Sequence, residues 1–198
     1  MKLYSHPLSG NSHKVRLLLA LMNIEYEEIV VDLLKGAHKA PEFLAMNPRG
    51  QVPVLVDGDA TIYDSQAILV YLVNKYGTDD KWLPTDPVGR ARVMQWLSFA
   101  ANEVHHGPFL ARLHFLLSVP LDLALAQDRS HAALRILDDH LAKNTWLVAD
   151  RATIADIAVF PYVALAPEGK VSLDGYPNIR AWIDRMRALP GYVAMAGL

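Results

Sequence analysis

The stretch Ser5-His6-Pro7-Leu8-Ser9-Gly10-Asn11-Ser12-His13-Lys14-Val15 sets hydroxyl, amide and imidazole groups between a short apolar run and a long one. Ser9 and Asn11 stand where a helix is about to begin. A hydroxyl or carboxamide in that place has two possible occupations. It can cap the helix by accepting from a free backbone N–H. It can also donate to an anion that the same N–H groups and the helix dipole attract. The residue types permit both, and at this stage both stay open. Asp64-Ser65 poses the same choice ahead of Ile68, Leu69 and Leu72. His38-Lys39 is a cationic pair in a polar stretch, read either as a solvated loop or as an anion's partner. Farther on, Asn102, His105, His106, Phe109 and Arg112 recur at helical spacing, which makes either a partly buried face or the wall of a pocket. A metal at His105-His106 is disfavoured, because adjacent residues diverge around a helix and no carboxylate partner is evident.

The elements that position these groups follow from periodicity. Lys2–Ser5 reads as a strand, and Val15, Leu18, Leu19 and Met22 place a helix from about Ser12 to Met22. Tyr26–Val31 reads as a second strand, so the opening is a βαβ unit with a parallel pair. Val52–Val56 and Ala60–Tyr63 flank Asp57-Gly58-Asp59, the signature of an antiparallel hairpin. Pro53 at the entrance to that strand implies a strand edge or a cis peptide. Ser65–Lys75 is the next helix. Residues 32–52 read as a long loop. The expected organisation is an α/β domain over 1–77, a linker over 78–87 rich in turn formers, and an all-α domain over 88–198. In the latter, Asp86 caps a helix with Pro87 at its first position, and Gly107-Pro108 bends it before Val119-Pro120 ends it. Further helices are expected over about 122–143, 154–166 and 177–188, the middle one opened by a capping box at Thr153–Asp156.

Composition narrows the function classes. The 198 residues are 52% hydrophobic, ample for a packed core, and the net charge of −2 gives no reason to expect a nucleic-acid partner. No apolar run approaches the ~18 residues of a membrane span, and the polar turn at Ser5 is unlike a signal peptide. The chain has no cysteine. A disulfide framework, a zinc–thiolate site and a cysteine nucleophile are excluded, and any thiol chemistry must use a thiol brought from outside.

The stretches "HPLSGNSHKVR", "NPRGQVPVLVDGDATIYDSQAILVYL" and "TIADIAVFPY", in this order and at this length, resemble the cytosolic glutathione transferases. The closest pattern is that of the serine-type classes, phi and zeta, and their bacterial relatives. The resemblance implies a thioredoxin-like α/β domain that binds glutathione and an all-helical domain that receives a small hydrophobic electrophile. It implies a cytoplasmic homodimer acting in detoxification, with glutathione as co-substrate and no metal. Ser9 matches the family's catalytic serine. His38 and Lys39 match the pair that meets the glycine carboxylate. Gln51 and Val52, before Pro53 as a cis-proline, match the segment that pairs with the cysteinyl part. Asp64 and Ser65 match the acidic-serine pair at the γ-glutamyl end, although phi members usually carry Glu where this chain has Asp64. Asn102, His105, His106, Phe109 and Arg112 fall on the co-substrate side, with Arg112 or a histidine meeting a polar group of the electrophile.

A thiol that titrates near ~8.5 must be brought to about 6.5 to be half ionised in that range, which takes ~2.7 kcal/mol of thiolate stabilisation. Ser9 and the helix N-terminus together are the devices available. Asn11 is the rival, because the Ser9-Gly10-Asn11 … His13-Lys14 pattern is similar to a nu-like group of glutathione-dependent disulfide reductases. Tyr4 is set aside: the tyrosine-type position is Ser5 here, and strand alternation sends Tyr4 to the other face. A zeta-like isomerase fits less well, since its serine-rich run is Ser9-Gly10-Asn11 here. A non-catalytic binding module on the same scaffold is the remaining alternative.

Overall fold

A computed structural model describes residues 1–198. The chain divides into two compact units, Met1–Thr78 with Pro190–Ala196, and Asp79–Leu189 with Gly197–Leu198. No helix is long and apolar enough to cross a membrane.

The first unit is built on a four-stranded sheet of order β2-β1-β3-β4. β1 (Lys2–Ser5) runs parallel to β2 (Glu27–Val30) and antiparallel to β3 (Val54–Asp57), which forms a hairpin with β4 (Ala60–Tyr63). The parallel pair and the hairpin are as the sequence predicts. α1 (Gly10–Leu21) starts two residues before the expected Ser12, because Ser9 takes the cap. Residues 32–52 are more structured than a loop. They hold a 3-10 turn at Ala37–Lys39 and a short helix, α2 (Pro41–Met46), started by Pro41 and pinned by buried Phe43. A helix of six residues is too short to display a 3.6 period, which is why the pattern hid it. β3 begins at Val54 rather than Val52, after a cis Val52–Pro53 peptide. Tyr4 packs with Val31, Phe43 and Val54, its ring edge-on to Phe43 at 6.4 Å. α3 (Ser65–Tyr76) closes the unit. Its last turn is tied to the hairpin by Asp57, whose carboxylate accepts from Lys75 Nζ at 2.7 Å, Tyr76 Oη at 2.6 Å and Tyr71 Oη at 2.9 Å.

The second unit is helical. α4 (Pro87–Ala101) is capped by Asp86, which accepts from Gly89 N at 2.8 Å. A π turn, His105–Phe109, is the predicted bend and accommodates Pro108, which has no N–H to donate. Gly107 permits close packing on the next long helix: a Cβ there would lie 2.8 Å from Ser130 N. α5 (Leu110–Leu117) ends at Ser118 in the left-handed region. α6 (Leu123–Leu141), α7 (Ile154–Ala164) and α8 (Pro177–Arg187) follow. Every residue of α7 is buried, and the Thr153–Asp156 capping box forms. Asp156 does more than cap. Its fully buried carboxylate accepts from Thr153 N at 2.9 Å, Leu147 N at 3.1 Å and Trp182 Nε1 at 3.0 Å. Burial pushes its pKa up while these donors pull it down.

Two outcomes follow. Replacing Asp156 by Ala leaves those donors buried without an acceptor and is expected to cost about 3 kcal/mol, read from the urea midpoint. Asp57 is held down to about 2, first by Lys75 and then by Tyr76, from an ordinary 3.8. Its folded-state pKa is lowered, so its stabilisation is present above pH ~4 and is lost as pH falls through about 2. Asp57→Asn is expected to flatten the dependence of stability on pH in that window, measured by urea unfolding at a series of pH values.

Candidate active site

The N-terminus of α1 is organised by Ser9. Its backbone is extended, at φ −83 and ψ 113, and its Oγ accepts from Ser12 N at 3.1 Å. Accepting uses a lone pair and leaves the hydroxyl proton available to donate. Both occupations foreseen for Ser9 are therefore compatible in one side chain. Asn11 lies in the first turn of α1. Ser65 Oγ donates to Gln66 Oε1 at 2.6 Å and approaches Asn11 Oδ1 at 3.4 Å, so the starts of α1 and α3 are side by side.

Asp64 caps α3, accepting from Gln66 N at 2.9 Å and Ala67 N at 3.3 Å. It holds φ +75, the left-handed side that a non-glycine residue adopts at a cost of about 1–3 kcal/mol. Arg49 Nη1 stands 3.6 Å from its free oxygen, Oδ2. The segment before Pro53 is shaped by buried Asn47, whose Nδ2 donates to Gln51 O at 2.7 Å and whose Oδ1 accepts from Arg49 N at 3.0 Å. Gly50 sits at φ +58, and a Cβ there would come 2.9 Å from the His38 carbonyl and 2.8 Å from Lys39 Nζ. Lys39 Nζ donates to Gly50 O at 3.4 Å. The His38-Lys39 turn and the Gly50–Pro53 segment are thus brought together. His38 Nδ1 is buried without a hydrogen-bond partner, and burial, then Lys39, lowers the imidazole pKa.

Asn47, Arg49 and Gly50 were not foreseen. "NPRGQ" shows a turn, but the contacts that fix its shape come from the fold. Lys14 was not foreseen as a buried charge either. It is 1% exposed and its pKa is pushed down to about 7 by burial, with Asp64 opposing. The sequence marks it only as part of the His13-Lys14 pair that follows Asn11, at i, i+3 from it on α1. His13 is fully buried, with neither ring nitrogen hydrogen-bonded, and its pKa is pushed down to about 4 by burial and then by Arg16. It is neutral across the physiological range.

In the second unit, His105 stacks on Phe109 at 4.6 Å and meets His106 edge-on at 5.0 Å. Phe109 in turn touches Tyr162 at 4.8 Å, a ring the sequence did not add to the set. Asn102 and His106 instead line a cavity of about 330 Å³ with Arg129 and Ile136, and His106 Nδ1 lies 2.9 Å from Asn102 O. The expected face is split between the two. Arg112 departs from the expectation. It is 4% exposed and its Nε donates to Glu168 at 2.5 Å, so its charge is committed inside the unit and not offered to an electrophile. No group of three or more metal-ligating side chains is gathered anywhere in the chain.

Comparison with known proteins agrees with this fold. Residues 1–74 match the glutathione S-transferase N-terminal domain family and residues 122–190 the C-terminal domain family. The chain is 35% identical to glutathione S-transferase 3 of Zea mays, covering 97% of this chain and 91% of that protein. It is 30% identical to the disulfide-bond oxidoreductase YfcG of Escherichia coli, covering 95% and 90%. The crystal structure of a glutathione S-transferase from Pseudomonas fluorescens superposes with a TM-score of 0.92 at 34% identity, covering 98% of each chain. A thioredoxin-like α/β unit followed by a helical one, with matches to both domain families, means that this chain belongs to the glutathione S-transferase family and is a glutathione transferase.

Proposed function

We propose that the chain is a serine-type transferase that joins the glutathione thiolate to a small hydrophobic electrophile. The observation that carries this is the pairing of two helix N-termini, α1 at Ser9 and α3 at Asp64, with a hydroxyl proton of Ser9 left to donate. The α1 end favours the sulfur anion and Ser9 donates to it. The α3 end, with Asp64 and Ser65, takes the γ-glutamyl group, its α-carboxylate facing Ser65, since the Gln66 and Ala67 N–H groups already donate to Asp64. His38 and Lys39 take the glycine carboxylate, and the Gln51-Val52 backbone before Pro53 takes the cysteinyl part. The thiolate sulfur attacks the electrophilic carbon, a carbon–sulfur bond forms, and the leaving group departs with its electron pair or the adduct collects a proton. The protein's part is to keep the sulfur charged and placed. His105, Phe109, His106 and Asn102 are assigned to the co-substrate. A cytoplasmic homodimer serving detoxification completes the proposal.

A second reading is a glutathione-dependent disulfide reductase or peroxidase, supported by the place of Asn11 beside Ser65 and by the name of the Escherichia coli relative. Separate Ser9→Ala and Asn11→Ala variants decide between them. Ser9→Ala is expected to lower conjugation kcat/KM about a hundredfold at pH 6.5, recovering toward pH 9 as the thiol ionises unaided. Loss of disulfide reduction in Asn11→Ala alone, with conjugation intact, selects the second reading. Glutathione binding by calorimetry with turnover in neither assay would leave only a binding module.

Gly50→Ala tests the glycine-carboxylate end. The left-handed backbone and the His38 carbonyl oppose a Cβ there. The expected result is an increase of about tenfold in glutathione KM with a smaller change in kcat, measured by steady-state kinetics.

A further inference from the structure

Arg16 lies on α1 beyond the Ser9 turn, with its side chain 12% exposed and folded back along the loop that precedes the helix. Nη1 donates to Ser5 Oγ at 3.1 Å, His6 O at 3.3 Å and Glu28 Oε1 at 3.2 Å, and Nη2 donates to Pro7 O at 3.2 Å. The buried Ser5 hydroxyl donates to the same Glu28 carboxylate, on β2. The carbonyl of His6 is the pivotal acceptor. It takes the Ser9 N–H at 3.0 Å on one side and the guanidinium on the other. One cation therefore holds the end of β1 and two successive carbonyls of the loop, the first of which is the acceptor of Ser9's own amide. Two nitrogens of one planar fork reach this set, whereas a single ammonium nitrogen in the place of Nη1 lacks the second donor that holds Pro7 O.

We infer that Arg16, braced by Glu28, is a positioning residue that fixes the Ser9 hydroxyl against the substrate sulfur. This inference rests on the reading of Ser9 as the sulfur's partner. It assigns to Arg16 no contact with glutathione. The consequence is geometric. If the turn relaxes, the hydroxyl points elsewhere for part of the time, and the bound thiol loses a donor while the rest of glutathione keeps its contacts. The loss should then appear in the thiol's ionisation far more than in affinity.

The test titrates the ultraviolet absorbance of enzyme-bound glutathione thiolate against pH in the wild type, Arg16→Ala, Arg16→Lys and Glu28→Gln, with glutathione affinity measured by calorimetry. Arg16→Ala and Arg16→Lys are both expected to raise the bound thiol's pKa by about one unit, a tenfold loss of thiolate below it. Glutathione Kd should move by less than about threefold. Glu28→Gln should shift the pKa in the same direction by less. Arg16→Lys that titrates like the wild type would show that charge alone suffices and overturn the inference. So would Arg16→Ala with lowered thermal stability but an unmoved thiol pKa, the mark of a merely structural role. If Arg16→Ala does not fold, Arg16→Lys and Glu28→Gln decide by the same criteria. A wild type that binds glutathione without lowering its pKa removes the Ser9 reading itself, and this inference with it; the other adverse outcomes strike the inference alone.

Discussion

The first unit depends on one arrangement: two helices begin next to each other, and both beginnings are capped by side chains that still have capacity to spare. A helix start leaves backbone N–H groups without intrahelical partners. At α1 the Ser9 oxygen satisfies one of them, and at α3 the Asp64 carboxylate satisfies two. Ser65 Oγ, which donates to Gln66 and approaches Asn11, stands between the two beginnings. An anionic ligand with charges at both ends and a nucleophilic sulfur between them suits such a surface. The sheet order β2-β1-β3-β4 puts β1 next to β3, so that the turn leaving β1 and the segment entering β3 lie side by side.

The polar groups of this chain fall into two kinds. Asp57 and Asp156 are saturated: each accepts from several donors, and each ties together parts of the chain that are distant in sequence. Such carboxylates stabilise the fold and have little left for a ligand. Around Ser9 and Asp64 the accounting is looser. His38 keeps a buried nitrogen without a partner, and Asp64 holds a left-handed backbone. An unpartnered buried nitrogen and local backbone strain are features that a folding core avoids.

What the sequence made legible was local. Asp86-Pro87, Thr153–Asp156 and Asp57-Gly58-Asp59 each carry their whole signal within a few residues, and the cap, the capping box and the hairpin formed where they were expected. Ser9 and Asp64 were legible as helix caps for the same reason. What stayed hidden was contact at a distance. Arg112 looked available because Glu168, 56 residues on, gives no sign in sequence that it will take the guanidinium. Gly50 reads as an ordinary turn glycine until the His38 carbonyl is seen against it. α2 was missed because a helix shorter than two turns shows no period, and its stability comes from burying Phe43 against the sheet.

The corrected role of Arg112 changes the chemistry available to the second unit. With that cation spent on Glu168 and with His106 held near the Asn102 carbonyl, what the predicted face offers is mainly ring surface, His105 over Phe109 and Phe109 against Tyr162. Aromatic faces recognise flat, apolar or polarisable molecules by area and stacking and impose little demand on functional-group position. Under the proposed function the thiolate is stabilised by residues of the first unit, and the polar groups beside the rings are those of the cavity of Asn102, His106 and Arg129. Under that proposal, a co-substrate chosen by ring surface and a sulfur activated by fixed dipoles would vary independently. A scaffold so divided can keep its thiolate chemistry while residues of the helical unit change the electrophile.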